Sequence, residues 1–498
     1  MRYAHEVGNV RAAEQALMSR LPDGVLMQRA AAGLATVCTR ILPRTYGARV
    51  VVLAGSGDNG GDALYAGARL ARRGARVRAV LVGSKVHEGG LAALRRAGGR
   101  VTATAGEDSG AEIDAAELIL DGLVGIGGSG GLREPYARVA GQAAESVGTV
   151  VAVDVPSGVD ASTGEVAGTA VRADVTVTFG TWKPGLLVDP GASCAGTAEL
   201  VDIGLAGELP DPDVAALQHA DVRALLPRPV AESDKYRRGV AGIVAGGEYY
   251  VGAPALSVGG AVRGGAGMVR FASTQRPVEL VRTRWPEVVT TVATSGDEVL
   301  AAGRVQAWAA GPGIGTDSDG AAAGVLRAIL STEVPVLVDA DGITLLSQRP
   351  EWLTGRAAPT VLTPHAGELA RLLGTERADV EARRLEHVRR AAERFGHTVL
   401  LKGSTTLVAS PGRVTRVNPT GTPWLATAGS GDVLSGLGGT LLAGGLGPHD
   451  AAAVAAYLHG LAARLAAGVG SGAAAPIAAH DVVEALPDAF RAVEDAGR

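Results

Sequence analysis

Short apolar runs alternate with amphipathic stretches along most of the chain. Two helical patterns come first, over about residues 10–21 and 28–41. They precede RVVVLA (Arg49 to Ala54), a continuous apolar run of the kind produced by parallel strands covered on both faces. A helix over 63–73 and a strand over 76–82 complete a βαβ unit, for which a right-handed crossover is expected. Further strands are predicted at 118–120, 150–153 and 175–179. Between about Leu205 and Pro229 the pattern dissolves into Gly, Pro and Asp (GELPDPD, then LLPRP), which marks a domain boundary. Alternation restarts with strands at 240–245, 268–272, 305–310, 336–339, 361–363 and 398–402, and helices over 431–442 and 450–467 close the chain. The expected fold class is α/β with two doubly wound domains: a Rossmann-like three-layer αβα domain over 1–215, a linker over 216–228 and a larger αβα domain over 229–498.

Composition narrows the setting. Glycine supplies 72 of 498 residues, about twice the usual share, while aromatics make up only 3%, so the special residues go to backbone turns rather than aromatic surfaces. The net charge of -4 and the lack of a dense basic run argue against nucleic acid as a partner. Cys38 and Cys194 lie far apart with no metal-ligand spacing, which fits neither a disulfide framework nor a zinc site and suggests buried small hydrophobes. Arg2, Glu6 and Arg11 interrupt any apolar leader, and His459 and Arg464 interrupt the Ala-rich stretch near the C-terminus. A soluble cytoplasmic protein with no membrane partner is expected. Trp182, Trp308 and Trp424 are read as packing residues.

The first chemical constellation is Gly55-Ser-Gly-Asp-Asn-Gly-Gly-Asp62, directly after the first strand and opening a helix. Glycines let the backbone approach a ligand, and free N–H groups at a helix N-terminus favour a pyrophosphate. Asp58, Asn59 and Asp62 add hard oxygen donors suited to a cation beside the phosphate. The alternative is a turn that needs glycine for geometry alone. Asp121, heading a second glycine loop (Gly122 to Gly131), and Asp154, leading into Pro156-Ser157-Gly158, stand at two further strand ends, where open α/β sheets bind ligands. For each of these aspartates a helix cap or Asx turn is the plainer role.

The order RAAEQAL…LMQRAA, GSGDNGGD, DGLVGIG, VDVPSGVD and TWKPG resembles the NAD(P)H-hydrate epimerase domain, the YjeF N-terminal family, across about residues 1–215. The resemblance implies a potassium-assisted interconversion of R and S epimers of hydrated NADH or NADPH. On matching positions it implies K+ ligation by Asn59, Asp121 and Ser157. It implies a hydrate site lined by Asp58, Asn59, Gly60, Gly61 and Asp62, by Gly125, Ile126, Gly127 and Gly128, by Ser129, Gly130 and Gly131, and by Asp154. Asp154 is the expected proton-transferring carboxylate, and Lys183 a weaker candidate for positioning or charge stabilisation. Asp58 and Ala63 replace the family's usual Asn and Gly, and the second loop is richer in glycine than usual.

The second constellation is NPTGTPWLATAGSGD, residues 418–432. A Gly-Ser-Gly turn opening a helix aims several N–H dipoles at one spot, which suits a transferring phosphoryl group, and Asp432 can take a proton from an attacking hydroxyl. The alternative is that Asp432 merely caps the helix. With AAGPGIG, VDADGI, LTPHAGE and LLKGSTT, this turn resembles the ribokinase-like ADP-dependent NAD(P)H-hydrate dehydratase family over about residues 225–490. Matching positions imply Ala253, Gly313, His365 and Asp432 at the hydrate. They imply Lys402, Gly403, Ser404, Thr405 and Thr406, with the Gly429, Ser430 and Gly431 turn, at the AMP part of ADP, with Mg2+ on the phosphates. His365 is also readable as a helix cap. The expected protein is a bifunctional repair enzyme acting on NADH hydrate and NADPH hydrate with ADP, and a homo-oligomer is a further expectation from the resemblance. The alternative is a ribokinase-like vitamin or sugar kinase with a non-catalytic nucleotide-binding N-terminal module.

Overall fold

The RVVVLA run forms strand β1 (Arg49–Ala54), and every residue after Arg49 is buried. In the computed structural model it lies inside a seven-stranded sheet with β2 (Arg76–Leu81), β3 (Arg100–Thr102), β4 (Leu118–Gly122), β5 (Thr149–Val153), β6 (Val175–Phe179) and β7 (Thr197–Val201). The order is β3-β2-β1-β4-β5-β6-β7, with all pairs parallel. Alternate residues serve opposite faces, as a two-residue period dictates. Val50 and Val52 pack with Leu34 and Leu64, whereas Val51 and Leu53 pack with Ile113, Val139 and Ala143. The chain runs outward from β1 to β3 and then returns to β4 on the other side of β1, so the strand order switches between β1 and β4. Crevices at such switch points, beyond the carboxyl ends of the strands, are where open α/β sheets hold ligands.

The structure describes residues 1–102, 107–470 and 472–495, and the contacts divide the chain after Val214 into two units. In the second unit, β8 (Val240–Val244), β9 (Met268–Ser273), β10 (Val289–Val292), β11 (Ala307–Ala310), β12 (Val336–Val338), β13 (Thr360–Leu362), β14 (Thr398–Leu401), β15 (Thr406–Ala409) and β16 (Thr415–Asn418) follow in the order β16-β15-β14-β13-β12-β11-β8-β9-β10. They are parallel from β10 to β14, and β15 and β16 are antiparallel additions. The switch point lies between β8 and β11. Helix α1 (Ser430–Ala443) is buried at every residue from Val433 to its end, the mark of a helix covered on all sides. Its glycines permit this: a Cβ on Gly436 would stand 1.8 Å from the Ser257 carbonyl oxygen. The helix start, with Gly431 and Asp432, is thereby fixed in place.

Both units are the mixed α/β folds that the patterning predicts. The edges differ. The first two helices span Val7–Met18 and Val25–Ile41, each beginning about one turn early. The third begins at Asp58, so Asn59 to Asp62 are its opening turn rather than a loop. Residues 216–228, expected as a linker, carry the helix His219–Leu225, closed by a Gln218–Asp221 capping box. Strand β7 and the helices Glu88–Arg96, Tyr136–Glu145 and Ala479–Asp495 were not anticipated. Trp182 and Trp308 are buried, but Trp424 is 39% exposed on a short turn with no buried residue, which corrects its reading as a packing residue. Both cysteines are buried and unpaired. Among the described residues no helix is long and apolar enough to cross a membrane.

Candidate active sites

At the switch point of the first unit a cleft of about 1420 Å³ opens between the helix Val7–Met18 and the ends of β1, β4 and β5. Its lining includes Asp58, Asn59, Asp62, Gly125, Ile126, Gly127 and Asp154. Asp154 directly follows β5 with φ 66°, a left-handed conformation that side chains disfavour and that surrounding bonds must hold. Its Oδ1 accepts from Lys183 Nζ (2.5 Å), Thr178 Oγ1 (3.0 Å) and Phe179 N–H (3.2 Å). Lys183 is 1% exposed and also donates to the Phe179 carbonyl at 2.9 Å. The lysine of TWKPG therefore anchors the aspartate of VDVPSG.

Behind the cleft wall, Asp121 ends β4 fully buried. Its carboxylate accepts from Ser157 N–H (2.8 Å), Ser157 Oγ (2.6 Å) and Leu123 N–H (3.3 Å). Burial pushes the Asp121 carboxyl up to about 6, against the lowering effect of those donors. Ser157 Oγ also accepts from Val124 N–H at 2.8 Å. The Asn59 side chain lies against the same loop: a Cβ on Gly125 would stand 2.8 Å from its Cγ, so any larger residue there must displace the carboxamide. Asn59 Nδ2 is buried without a partner among the described residues, so no nitrogen bond fixes its carboxamide. The three predicted K+ ligands thus border one loop and offer carboxylate, hydroxyl and amide oxygens, the donors a hard cation takes. The set fits potassium. Among the described residues no group of three or more His, Cys, Asp or Glu side chains is arranged to hold a metal ion.

Other predicted positions play lesser parts. Gly60 and Gly61 are buried in the helix start. The cleft wall takes this loop only as far as Gly127, so Gly128, Ser129, Gly130 and Gly131, expected to line the hydrate site, are not among its lining residues, and Gly131 is pressed against the Ala167 carbonyl. Glu14 is a lining residue that sequence reasoning missed. Burial and then Asp154 raise its carboxyl, Lys183 lowers it, Asp58 raises it and Arg11 lowers it, which places it within the field of the site. On an amphipathic helix it reads as a solvated charge, and its only signal was its place in RAAEQAL.

In the second unit the turn Gly429-Ser430-Gly431 opens helix α1, and Gly429 (φ 87°) takes a left-handed conformation open to glycine. The Ser430 hydroxyl donates to the carbonyls of Leu425 and Thr427, and its own carbonyl accepts from His459 Nε2 at 2.9 Å. Gly429 and Gly431 keep N–H groups that donate to no acceptor among the described residues, leaving them for an anion. Asp432 is the third residue of the helix and lies in its first turn. Burial first, then Asp339 and Asp341, push its carboxyl up to about 7 against the pull of Lys402.

Lys402 Nζ bonds Asp339 Oδ1 at 2.6 Å and stands 3.8 Å from Glu368. Burial pulls the ammonium down, but Asp339 and Glu368 outweigh it and hold it above its ordinary value. A Cβ on Gly431 would be 3.7 Å from that Nζ. The Gly403 to Thr405 loop after Lys402 rests on Arg384, whose Nη2 donates to the carbonyls of Lys402 and Thr405. Thr406 turns its hydroxyl back to the Gly403 carbonyl at 3.4 Å, and Ser404 is exposed. Ala253 and Gly313 meet at the switch point: a Cβ on Gly313 would be 3.5 Å from that of Ala253.

His365 caps the helix Ala366–Leu373. Its Nδ1 accepts from Gly367 N–H (3.0 Å) and Glu368 N–H (3.3 Å), which leaves the proton on Nε2. Burial, then Lys402, Arg371 and Arg377, push its pKa down and keep the exposed ring neutral beside the lysine.

Two α/β units, one with a carboxylate–lysine cleft and one with an anion turn beside a carboxyl poised near neutrality, define a two-site enzyme of nucleotide chemistry. Two family models match them in turn: YjeF-related protein N-terminus over residues 23–185 and NAD(P)H-hydrate dehydratase over residues 241–487. The chain is 47% identical to the bifunctional NAD(P)H-hydrate repair enzyme Nnr of Mycobacterium leprae, over 99% of this chain and 100% of that one. It is 48% identical to the enzyme of the same name from Mycobacterium tuberculosis, over 91% and 92%. It belongs to the family of bifunctional NAD(P)H-hydrate repair enzymes. Among solved structures it is similar to an ADP/ATP-dependent NAD(P)H-hydrate dehydratase from Bacillus subtilis co-crystallised with ATP/Mg2+, at 27% identity and a TM-score of 0.49, over 56% of this chain and 99% of that one.

Proposed function

We propose that the chain restores hydrated NADH and NADPH in two steps, with Asp154 and Asp432 as the groups that move protons. Reduced nicotinamide is an enamine, so water adds with its oxygen on the ring carbon beside nitrogen. The product is a hemiaminal of either configuration. The first unit interconverts the two, and the second removes water from the S form. Asp154 takes and returns the hydroxyl proton, with Lys183 fixing its orientation. Asn59, Asp121 and Ser157 hold K+, which when bound supplies positive charge beside the dinucleotide phosphates.

Hydroxide leaves poorly, so the second unit first makes it a phosphate ester. Ala253, Gly313 and His365 hold the hydrate, while Lys402 to Thr406 and Gly431 hold the AMP part of ADP. Asp432 takes the hydroxyl proton as the oxygen attacks the terminal phosphorus of ADP, and the Gly429 and Gly431 N–H groups hold the developing charge. Mg2+, when bound, screens the phosphates. The ring nitrogen then expels phosphate, and loss of a proton from the neighbouring carbon restores the dihydropyridine. The products are NAD(P)H, AMP and phosphate. Two buried free cysteines suit the reducing cytoplasm.

The observation that carries this reading is Asp432, with its carboxyl near 7, beside two unengaged glycine N–H groups and Lys402. Mixed R and S hydrates of NADH are incubated with ADP and the full-length protein. The expected result is full recovery of the reduced-nicotinamide absorbance. A stable phosphorylated product means a kinase instead, and recovery that stops once the S form is consumed removes the epimerase step.

A further inference from the structure

Asp62 stands on the wall of the first unit's cleft with a buried carboxyl oxygen, Oδ1, that has no hydrogen-bond partner among the described residues. One turn after Asp58, it shares that residue's helix face. Asp58 sits at the helix start, where the macrodipole favours a negative charge, but that benefit fades beyond the first turn. An unpartnered carboxyl oxygen out of water is unfavourable, so the fold gains no stability from placing Asp62 there. Burial, then Asp154, Asp58 and Glu14, hold its carboxyl well above the usual range, and only Lys183 opposes them. Asp154, in the same cleft, has its Oδ1 engaged by Lys183, Thr178 and Phe179. One carboxyl group held by three donors and another with an unpartnered buried oxygen stand in one cleft in unlike surroundings, an arrangement that can divide the roles of base and acid.

The epimerisation calls for both. Opening the hemiaminal ring breaks the carbon–nitrogen bond, and the departing nitrogen, conjugated with the ring carboxamide, is a poor leaving group unless a proton reaches it. We propose that Asp62 is a second catalytic residue of the epimerisation, giving its proton to the ring nitrogen while Asp154 accepts the proton of the hydroxyl. The inference rests on the epimerase reading of this unit. The hydroxyl O–H pair becomes the second bond of a carbonyl, the carbon–nitrogen pair stays on nitrogen, and nitrogen takes the Asp62 proton. Rotation about the bond to the carbonyl carbon presents its other face. The Asp62 carboxylate then recovers the N–H proton as nitrogen attacks, and Asp154 returns its proton to oxygen. Both residues end as they began, with no other reactant consumed.

The full-length protein and its Asp62→Asn variant are assayed on R hydrate for epimerisation, and on S hydrate with ADP for dehydration as an internal control. The variant should lose about 100-fold in epimerisation kcat with little change in KM and no change in dehydration. An epimerisation kcat within threefold of the parent overturns the proposal. If the parent itself does not epimerise, the reading of the unit fails, and the inference with it. Should the variant not fold, the parent in oxygen-18 water decides. Ring opening keeps the substrate's oxygen, as expected here, whereas one solvent oxygen gained per turnover means the carbon–oxygen bond breaks instead and overturns the role of Asp62.

Discussion

Lys183 and Asp154 form an ion pair, Nζ to Oδ1 2.5 Å, in which the lysine is 1% and the aspartate 8% exposed. Removing one partner of such a pair leaves an uncompensated buried charge, a loss of about 3–5 kcal/mol. Lys183→Met is expected to destabilise the first unit by that order in denaturant unfolding and to abolish epimerisation, while ADP-dependent dehydration persists. Adding Asp154→Asn should restore much of the stability without restoring epimerase activity. A single variant that unfolds at the parent's denaturant concentration would show that the pair is not coupled as its geometry indicates.

Arg384, 7% exposed, supports the Gly403 to Thr405 loop through one nitrogen: Nη2 donates to the carbonyls of Lys402 and Thr405, each at 3.1 Å. A Cβ on Gly403 would stand 2.3 Å from that nitrogen, so alanine there must displace the guanidinium or the loop. Gly403→Ala is expected to raise the KM for ADP about tenfold while leaving the KM for S hydrate near that of the parent, since Ala253, Gly313 and His365 are untouched. Steady-state kinetics with each substrate varied in turn checks this. An equal rise in both constants would mean that the loop supports the whole site.

Continuous apolar runs made strands such as Arg49–Ala54 legible, because burial on both faces leaves one reading. The helix start at Asp58 was not legible: Gly60 and Gly61 have poor helix propensity, and packing of the helix against the sheet overrides it. The segment around His219 reads as broken because Pro and Asp flank a helix of only seven residues. At the sites, glycine loops and strand-end aspartates gave the positions, but not their partners. Nothing in spacing tells that Lys183 reaches Asp154 across 29 residues, or that Glu14 on the helix Val7–Met18 turns into the cleft. His365 had two competing readings, and the capping box it forms with Glu368 realises the cap.

Asp432 should set an acid limb on dehydration. Its carboxyl, pushed up to about 7 by burial and by Asp339, must be ionised to take the hydroxyl proton, so kcat/KM for S hydrate is expected to fall below about pH 7. Stability runs the other way. The folded value lies above the ordinary 3.8, so the unfolded chain gives up this proton first; folding weakens as pH rises from about 4 to about 7, and the penalty stays above that. Asp432→Asn should therefore lose dehydration yet melt higher than the parent at pH 8, with the gap closing toward pH 4. A gap that does not change with pH would remove Asp432 as the titrating group.

Asp121 offers the corresponding test for potassium. Fully buried, with its carboxyl raised to about 6 from 3.8, it lowers stability progressively between about pH 4 and 6 and fully above, in the absence of a cation. A K+ held by Asn59, Asp121 and Ser157 would neutralise that charge and cancel the penalty. The melting temperature of the first unit is expected to rise in KCl relative to tetramethylammonium chloride at equal ionic strength, more at pH 8 than at pH 5, because only the ionised carboxylate gains from the cation. Asp121→Asn should melt higher than the parent at pH 8 without K+ and no longer respond to it. An equal K+ response in the variant places the cation elsewhere, and no response in the parent removes the site.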